Sequence, residues 1–307
     1  MGDCLLWVGM LAFAMAFCPK GDADTARHGT LSFGVIADVQ YADKEDLGSR
    51  RYRHSLGLLE TAVANLNGQH PSFVVQLGDL VDSGEDSLDR ALSVFNQLKT
   101  TKHHVLGNHD FPISREAVLR KLGLVSAYYS FAQDGWRFVV LDTQDVSVDG
   151  GWPAESDHYE QAEAWLEQLG KEGKPNAEPW NGAIGKAQRD WLSGELAEAS
   201  AKGEKVIVMG HIPILAAASG DWCLLYNHDE ILQTLEHYQC VVAYLSGHDH
   251  GGGYTERNGI HHVTVQGMVE AGPQNAYAVV TLRPDAIEIE GTGAVPSRTL
   301  KVVGCTQ

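Results

Sequence analysis

The polarity pattern along this chain repeats one unit: a short apolar run that stops at a glycine or polar residue, then a longer segment of helical periodicity. The runs are residues 33–37, 73–77, 103–106, 206–209 and 241–245, and most are rich in valine, isoleucine and leucine. Runs of that length, bounded by turn residues, read as buried strands. Helical patterns cover residues 54–66, 88–98, 188–199 and 229–238. The alternation predicts βαβ units with parallel strands. Residues 127–131 and 136–141 flank Ala-Gln-Asp-Gly and predict a hairpin turning at Asp134-Gly135. Near the end of the chain, 260–265, 277–282 and 286–290 are strand-rich and predict a second sheet. Residues 145–185, punctuated by Gly-Gly-Trp-Pro and Lys-Pro-Asn-Ala-Glu-Pro, predict an inserted, cap-like loop with a short helix. The expected architecture is a four-layer α/β/β/α sandwich of two sheets flanked by helices.

Each of the five runs leads into residues of metal-ligating type: Asp38-x-Gln40, Gly78-Asp79-x-x-Asp82, Gly107-Asn108-His109-Asp110, Gly210-His211 and Gly247-His248-x-His250. Open α/β sheets gather reactive groups at the carboxyl ends of their strands, so five strands can deliver these side chains to one crevice. A carboxylate such as Asp79 has two oxygens, enough to bridge two cations about 3.5–4 Å apart. Asn108 offers a neutral oxygen, and His211, His248 and His250 offer imidazole nitrogens. This mixture suits manganese, iron or zinc by ligand type, and its share of hard oxygen donors favours manganese or magnesium; manganese is the expected ion. A lone Gly-Asp turn or Asp-x-Gln carries almost no information. Gly-His-x-His after a buried run, followed by glycines that permit close backbone approach, is far more specific, and five groups in order leave little room for a purely structural reading. The pairs His103-His104 and His261-His262 start or occupy strands and are read as core residues.

Composition narrows the function classes. With 40 acidic against 23 basic residues the formal charge is −17, and no basic run follows the pattern that tracks a phosphate backbone. A nucleic-acid partner is therefore not expected, whereas an anionic small molecule can still bind where cations dominate the local field. Of the 307 residues, 31 to 307 read as one catalytic domain, because any cut between Asp38 and His250 would split the site. A monomer is the default expectation. The five cysteines are odd in number and lack metal-knuckle spacing, and Cys223 and Cys240 sit among apolar residues as buried thiols do. Residues 1–30 form an N-terminal extension in which 5–17 is apolar and of signal-peptide length, too short to span a bilayer. Two localisations stay open: cytoplasmic, or secreted with cleavage after Ala14-Met15-Ala16.

The ordered blocks resemble those of the calcineurin-like metallophosphoesterases, with Gln40 where most members have histidine. The residues Asp38-Val39-Gln40-Tyr41-Ala42-Asp43, then Arg50-Arg51-Tyr52-Arg53-His54-Ser55, Asn181-Gly182-Ala183-Ile184-Gly185 and Gly252-Gly253-Tyr254 make the chain similar to the manganese-dependent ADP-ribose/CDP-alcohol diphosphatases. The resemblance implies one metal on Asp38, Gln40, Asp79 and His250 and a second on Asp79, Asn108, His211 and His248. It implies that His109 lies beside the bridge, able to donate a proton to the leaving oxygen or to stabilise charge on the phosphoryl group, with Asp110 orienting it. Arg50, Arg51 and Arg53 are the expected contacts to the distal phosphate. The implied substrate is a nucleotide diphosphate, ADP-ribose or a CDP-alcohol. Rival readings are a phosphodiesterase for cyclic nucleotides or glycerophosphodiesters and a non-catalytic scaffold. The blocks around Arg50 and Asn181 disfavour the first, and the filled ligand positions disfavour the second.

Overall fold

Alternation along the strands explains how two sheets share one core. In β6 (Lys205–Met209), Val206 and Val208 pack outward against Leu192 and Leu196 of α5 (Lys186–Lys202) and Ile231 and Leu235 of α6 (His228–His237). Ile207 and Met209 point the other way, into the layer between the sheets. That inner layer is clamped by four phenylalanines: Phe33 of β1 (Leu31–Ile36), Phe73 of β2 (Phe73–Gln76), Phe131 of β4 (Tyr129–Gln133) and Phe138 of β5 (Trp136–Val140). Phe33 stacks on Phe73 at 4.9 Å between centroids, and Phe138 meets Phe73 edge-on at 5.0 Å. Such pairs add stabilisation beyond the area they bury.

The computed structural model describes residues 1–2 and 30–302; the apolar stretch 5–17, its proposed cleavage point, Cys4, Cys18 and Cys305 lie outside them. The remaining elements are α1 (His54–Gln69), α2 (Glu85–Phe95), β3 (Thr101–His104), α3 (Arg115–Leu122), α4 (Asp157–Lys171), β7 (Val241–Ser246), β8 (Gly253–Arg257), β9 (Ile260–Thr264), β10 (Ala276–Leu282), β11 (Ala286–Gly293) and β12 (Arg298–Lys301). One six-stranded sheet runs β12-β11-β10-β1-β2-β3 and the other β4-β5-β6-β7-β9-β8. Both are mixed: β1, β2 and β3 are parallel, as are β5, β6, β7 and β9, while β10, β11 and β12 join the first sheet antiparallel and β4 and β8 form the antiparallel edges of the second. The layered α/β/β/α sandwich is therefore as expected, with one correction. The C-terminal strands do not make a sheet of their own: β10 to β12 extend the sheet of β1, and β9 joins β7. The second sheet instead opens with the hairpin of β4 and β5, which turns at Asp134 and Gly135, both at positive φ. The segment 145–185 is tied down by a bridge between Val146 and Ala183, and its helix, α4, has 15 residues, longer than the short helix expected. Among the described residues no helix is long and apolar enough to cross a membrane.

Candidate metal centre and active site

The parallel strands carry their ligands to one end of the sandwich, and the loops there stay paired past the strands. Asp38 N–H donates to the Gly78 carbonyl, and Gln40 N–H to the Asp79 carbonyl at 2.8 Å. Asp38, Gln40, Asp79 and His248 all adopt positive φ, between 41° and 69°. For residues with a Cβ this conformation costs about 1–3 kcal/mol each, and such strain persists where function requires a particular side-chain direction. Close approach is equally exacting. A Cβ on Gly107 would lie 2.1 Å from Asp79 Oδ1, and one on Gly78 2.3 Å from His211 Nδ1.

Four donors converge on the second expected ion. His211 Nε2 lies 3.4 Å from Asp79 Oδ2, 3.3 Å from Asn108 Oδ1 and 3.1 Å from His248 Nδ1. His211 is held by the Leu77 carbonyl on Nδ1, 2.8 Å away, and His248 Nε2 faces Asn181 Oδ1 at 2.9 Å. The outer nitrogens are thus occupied and the inner ones are left for a ligand. On the other side of Asp79, Gln40 Nε2 donates to Asp79 Oδ2 at 2.9 Å, and His250 Nε2 is 3.5 Å from Asp38 Oδ1. Gln40 Oε1 is buried with no partner in the protein. An orphaned carbonyl oxygen beside two carboxylates and an imidazole is the donor set of a hard divalent cation, so the residues present fit two ions, with Asp79 placed between the two donor groups.

The electrostatics agree. Burial opposes the charge of Asp79, but the charges of His211 and His109 and the His109 backbone N–H outweigh it and hold the carboxyl below its usual range. Burial likewise opposes charge on His211 and His250. Asp79 and Asp38 nonetheless raise His211 to about 9, and hydrogen bonds to Asp38 and Glu270 raise His250 to about 10. Burial and the charge on His211 push His248 well down. Protons here occupy positions that cations would take.

The structure revises the residues around this centre. Asp110 does not orient His109: its carboxylate accepts backbone N–H groups from Asp79 and Leu80 at 2.8 Å and Gly107 at 2.9 Å, with Val81 at 3.4 Å. It is a clamp on the turn that presents Asp79. The residue facing His109 is Asp82, whose carbonyl lies 3.2 Å from Nδ1 and whose carboxylate lies 3.7 Å away. Of the three arginines, only Arg50 lines the cavity in front of the metal ligands, paired with Glu270 at 3.5 Å. Arg51 is bound to Asp46, and Arg53 to Asp43 and Glu45, all at exposed positions that do not line the cavity. Glu270 itself reaches His250 Nδ1 at 3.0 Å, because the turn Met268–Glu270 pairs with the Ala37 and Asp38 carbonyls. The cavity, about 510 Å³, is completed by Asp149, Trp180 and Trp222, which no sequence motif marked. His103 stacks on Phe131 at 3.8 Å, and His104, His261 and His262 are buried in or beside strands, as core residues.

Comparison with known proteins places this geometry. The calcineurin-like phosphoesterase model matches residues 31–252. The manganese-dependent ADP-ribose/CDP-alcohol diphosphatase of Mus musculus is 35% identical over 92% of this chain and 96% of its own length. The Homo sapiens protein of the same name is 34% identical over 92% and 95%. A dimetal phosphatase from Danio rerio superposes with a TM-score of 0.83 at 31% identity, covering 89% of this chain and 99% of that one. Its fold, its converging ligand set and these matches along most of its length make this chain a member of the calcineurin-like phosphoesterase family, in the branch of the manganese-dependent ADP-ribose/CDP-alcohol diphosphatases.

Proposed function

We propose that the chain hydrolyses the pyrophosphate bond of ADP-ribose and of CDP-alcohols such as CDP-choline, CDP-glycerol and CDP-ethanolamine. The products are a nucleoside monophosphate and a phosphorylated sugar or alcohol. The observation that carries this reading is that five ligand side chains, Gln40, Asp79, Asn108, His248 and His250, line one cavity with His109 and Arg50, with His211 and Asp38 directly behind Asp79 and His250, in a chain whose relatives are named for that activity.

Asp38, Gln40, Asp79 and His250 would hold one manganese ion, and Asp79, Asn108, His211 and His248 the other. When bound, the pair supplies Lewis acidity toward the phosphoryl oxygens and lowers the pKa of the attacking water. The protein's own groups do the rest. His109 Nδ1 rests on the Asp82 carbonyl, so the other ring nitrogen is left for the substrate. As general acid, His109 would donate a proton from that second nitrogen to the leaving phosphate oxygen, while Asp82 holds the ring through Nδ1. Arg50 offers a planar guanidinium to the second phosphate. Tight packing of Gly107 against Asp79 fixes the carboxylate that both ions would share.

The test is a screen of the purified full chain against ADP-ribose, CDP-choline, cyclic AMP and an aryl phosphate, each with manganese, magnesium or chelator. The reading expects manganese-dependent turnover fastest on the two diphosphates. Faster turnover of cyclic AMP than of both, or undiminished activity in chelator, would refute it.

A further inference from the structure

Two tryptophans stand on the wall of the metal cavity, and their position is coupled to the metal ligands. Trp180 and Trp222 meet edge to face, with centroids 6.4 Å apart and ring planes at 82°. Trp222 is 48% exposed, one of four large apolar side chains so exposed among the described residues. Its partner precedes Asn181, whose amide joins the two features: Oδ1 faces His248 Nε2 at 2.9 Å, and Nδ2 donates to the Trp222 carbonyl at 2.8 Å. The residue between His248 and His250 makes a second tie, because Asp249 Oδ2 accepts the Gly220 N–H at 2.7 Å and so fixes the turn Asp221–Cys223. The indole of Trp222 lies over Gly220, where a Cβ would be 2.4 Å from Nε1. An exposed aromatic corner is thus held at a set distance from the metal centre by two hydrogen bonds.

We infer that the Trp180–Trp222 corner is the seat of the substrate's nucleobase, which stacks on Trp222 with the edge of Trp180 bounding it. The inference rests on the reading that the substrates are nucleoside diphosphates and adds how they are recognised. ADP-ribose and a CDP-alcohol share only a ribonucleoside diphosphate core, and their bases differ in size and in hydrogen-bonding edge. A site that accepts both needs a contact indifferent to that edge, and stacking is such a contact because every base has a π face. Asn181 and Asp249 act through the tryptophans and are positioning residues.

The experiment measures binding of AMP and of ribose 5-phosphate to the manganese-loaded full chain by titration calorimetry, for the wild type, Trp222→Leu and Trp222→Phe. Metal content is checked in each. Stacking on one aromatic residue contributes about 5- to 150-fold in affinity. Trp222→Leu should therefore weaken AMP by about tenfold or more and leave ribose 5-phosphate within about twofold. Trp222→Phe, which keeps a ring, should recover most of the loss. The seat is refuted if the wild type binds AMP no more tightly than ribose 5-phosphate, if Trp222→Leu weakens both equally or neither, or if Phe behaves as Leu does. Failure of the reaction reading looks different: base-dependent binding would persist in a chain that cleaves no diphosphate. Cleavage of ADP-ribose with AMP binding unaffected by Trp222→Leu would remove the seat alone.

Discussion

Neighbouring residues of the Gly107-Asn108-His109-Asp110 turn do different work, and their distances separate the roles. Asn108 aims an oxygen at His211, His109 faces the cavity, and Asp110 turns inward to gather backbone N–H groups. His109→Ala should keep the metal content and lower kcat by about 10²–10⁴-fold, with a smaller loss on substrates that have a good leaving group. Asp110→Ala leaves several buried N–H donors unsatisfied, at about 1–3 kcal/mol for each. It should lower both the unfolding midpoint and metal occupancy. Elemental analysis and urea unfolding of the two variants decide it; metal loss in His109→Ala with normal metal in Asp110→Ala would reverse the assignment. Gln40 gives a second prediction. Its free Oε1 is a harder donor than imidazole, so Gln40→His should raise zinc and cobalt affinity and relax the dependence on manganese. An unchanged metal preference in activity assays would remove that role. The ligands were legible in sequence because strand ends and glycine turns mark them. The clamp role of Asp110 was not, since it depends on backbone groups some 30 residues away. Trp222, Asp149 and Glu270 reach the cavity through loop packing that leaves no motif.

At the scale of elements, the strands and main helices follow from periodicity, with shifts of a few residues at the ends. What periodicity missed were α3, β8 and β12, short or exposed pieces whose conformation is set by neighbours. The sheet to which β10 to β12 belong is a non-local pairing, invisible to local pattern. The histidines of β3 and β9 lend the strands a pH dependence. Burial lowers His104 to about 3 and His262 to about 4, from 6.5. Above pH 6.5 neither folded nor unfolded chain protonates them. Below it the unfolded chain takes protons that the folded one refuses, so stability falls as pH drops, by about 1.4 kcal/mol per pH unit for each histidine. Both ring nitrogens of His262 lack partners. His262→Leu should therefore leave stability at pH 7 unchanged or raised and, by pH 5, retain about 2 kcal/mol that the wild type loses. Urea unfolding at the two pH values checks it, and parallel pH profiles for variant and wild type would contradict it.

The whole molecule sets an acidic chain, formally −17, around a pit meant for an anion. Cations reconcile the two, because bound divalent ions become the largest local charges and Arg50 adds another on the same wall. Two sheets are required: one delivers Asp38, Asp79 and Asn108, the other His211, His248 and His250, and the core of phenylalanines holds them in register. This joint centre is expected to cleave between two phosphorus atoms and stop there. Its most direct test is the product balance of ADP-ribose hydrolysis by the manganese-loaded chain, followed by chromatography with a parallel phosphate assay. AMP and ribose 5-phosphate should appear in equal amounts with no inorganic phosphate; stoichiometric inorganic phosphate without added phosphatase would overturn the assignment.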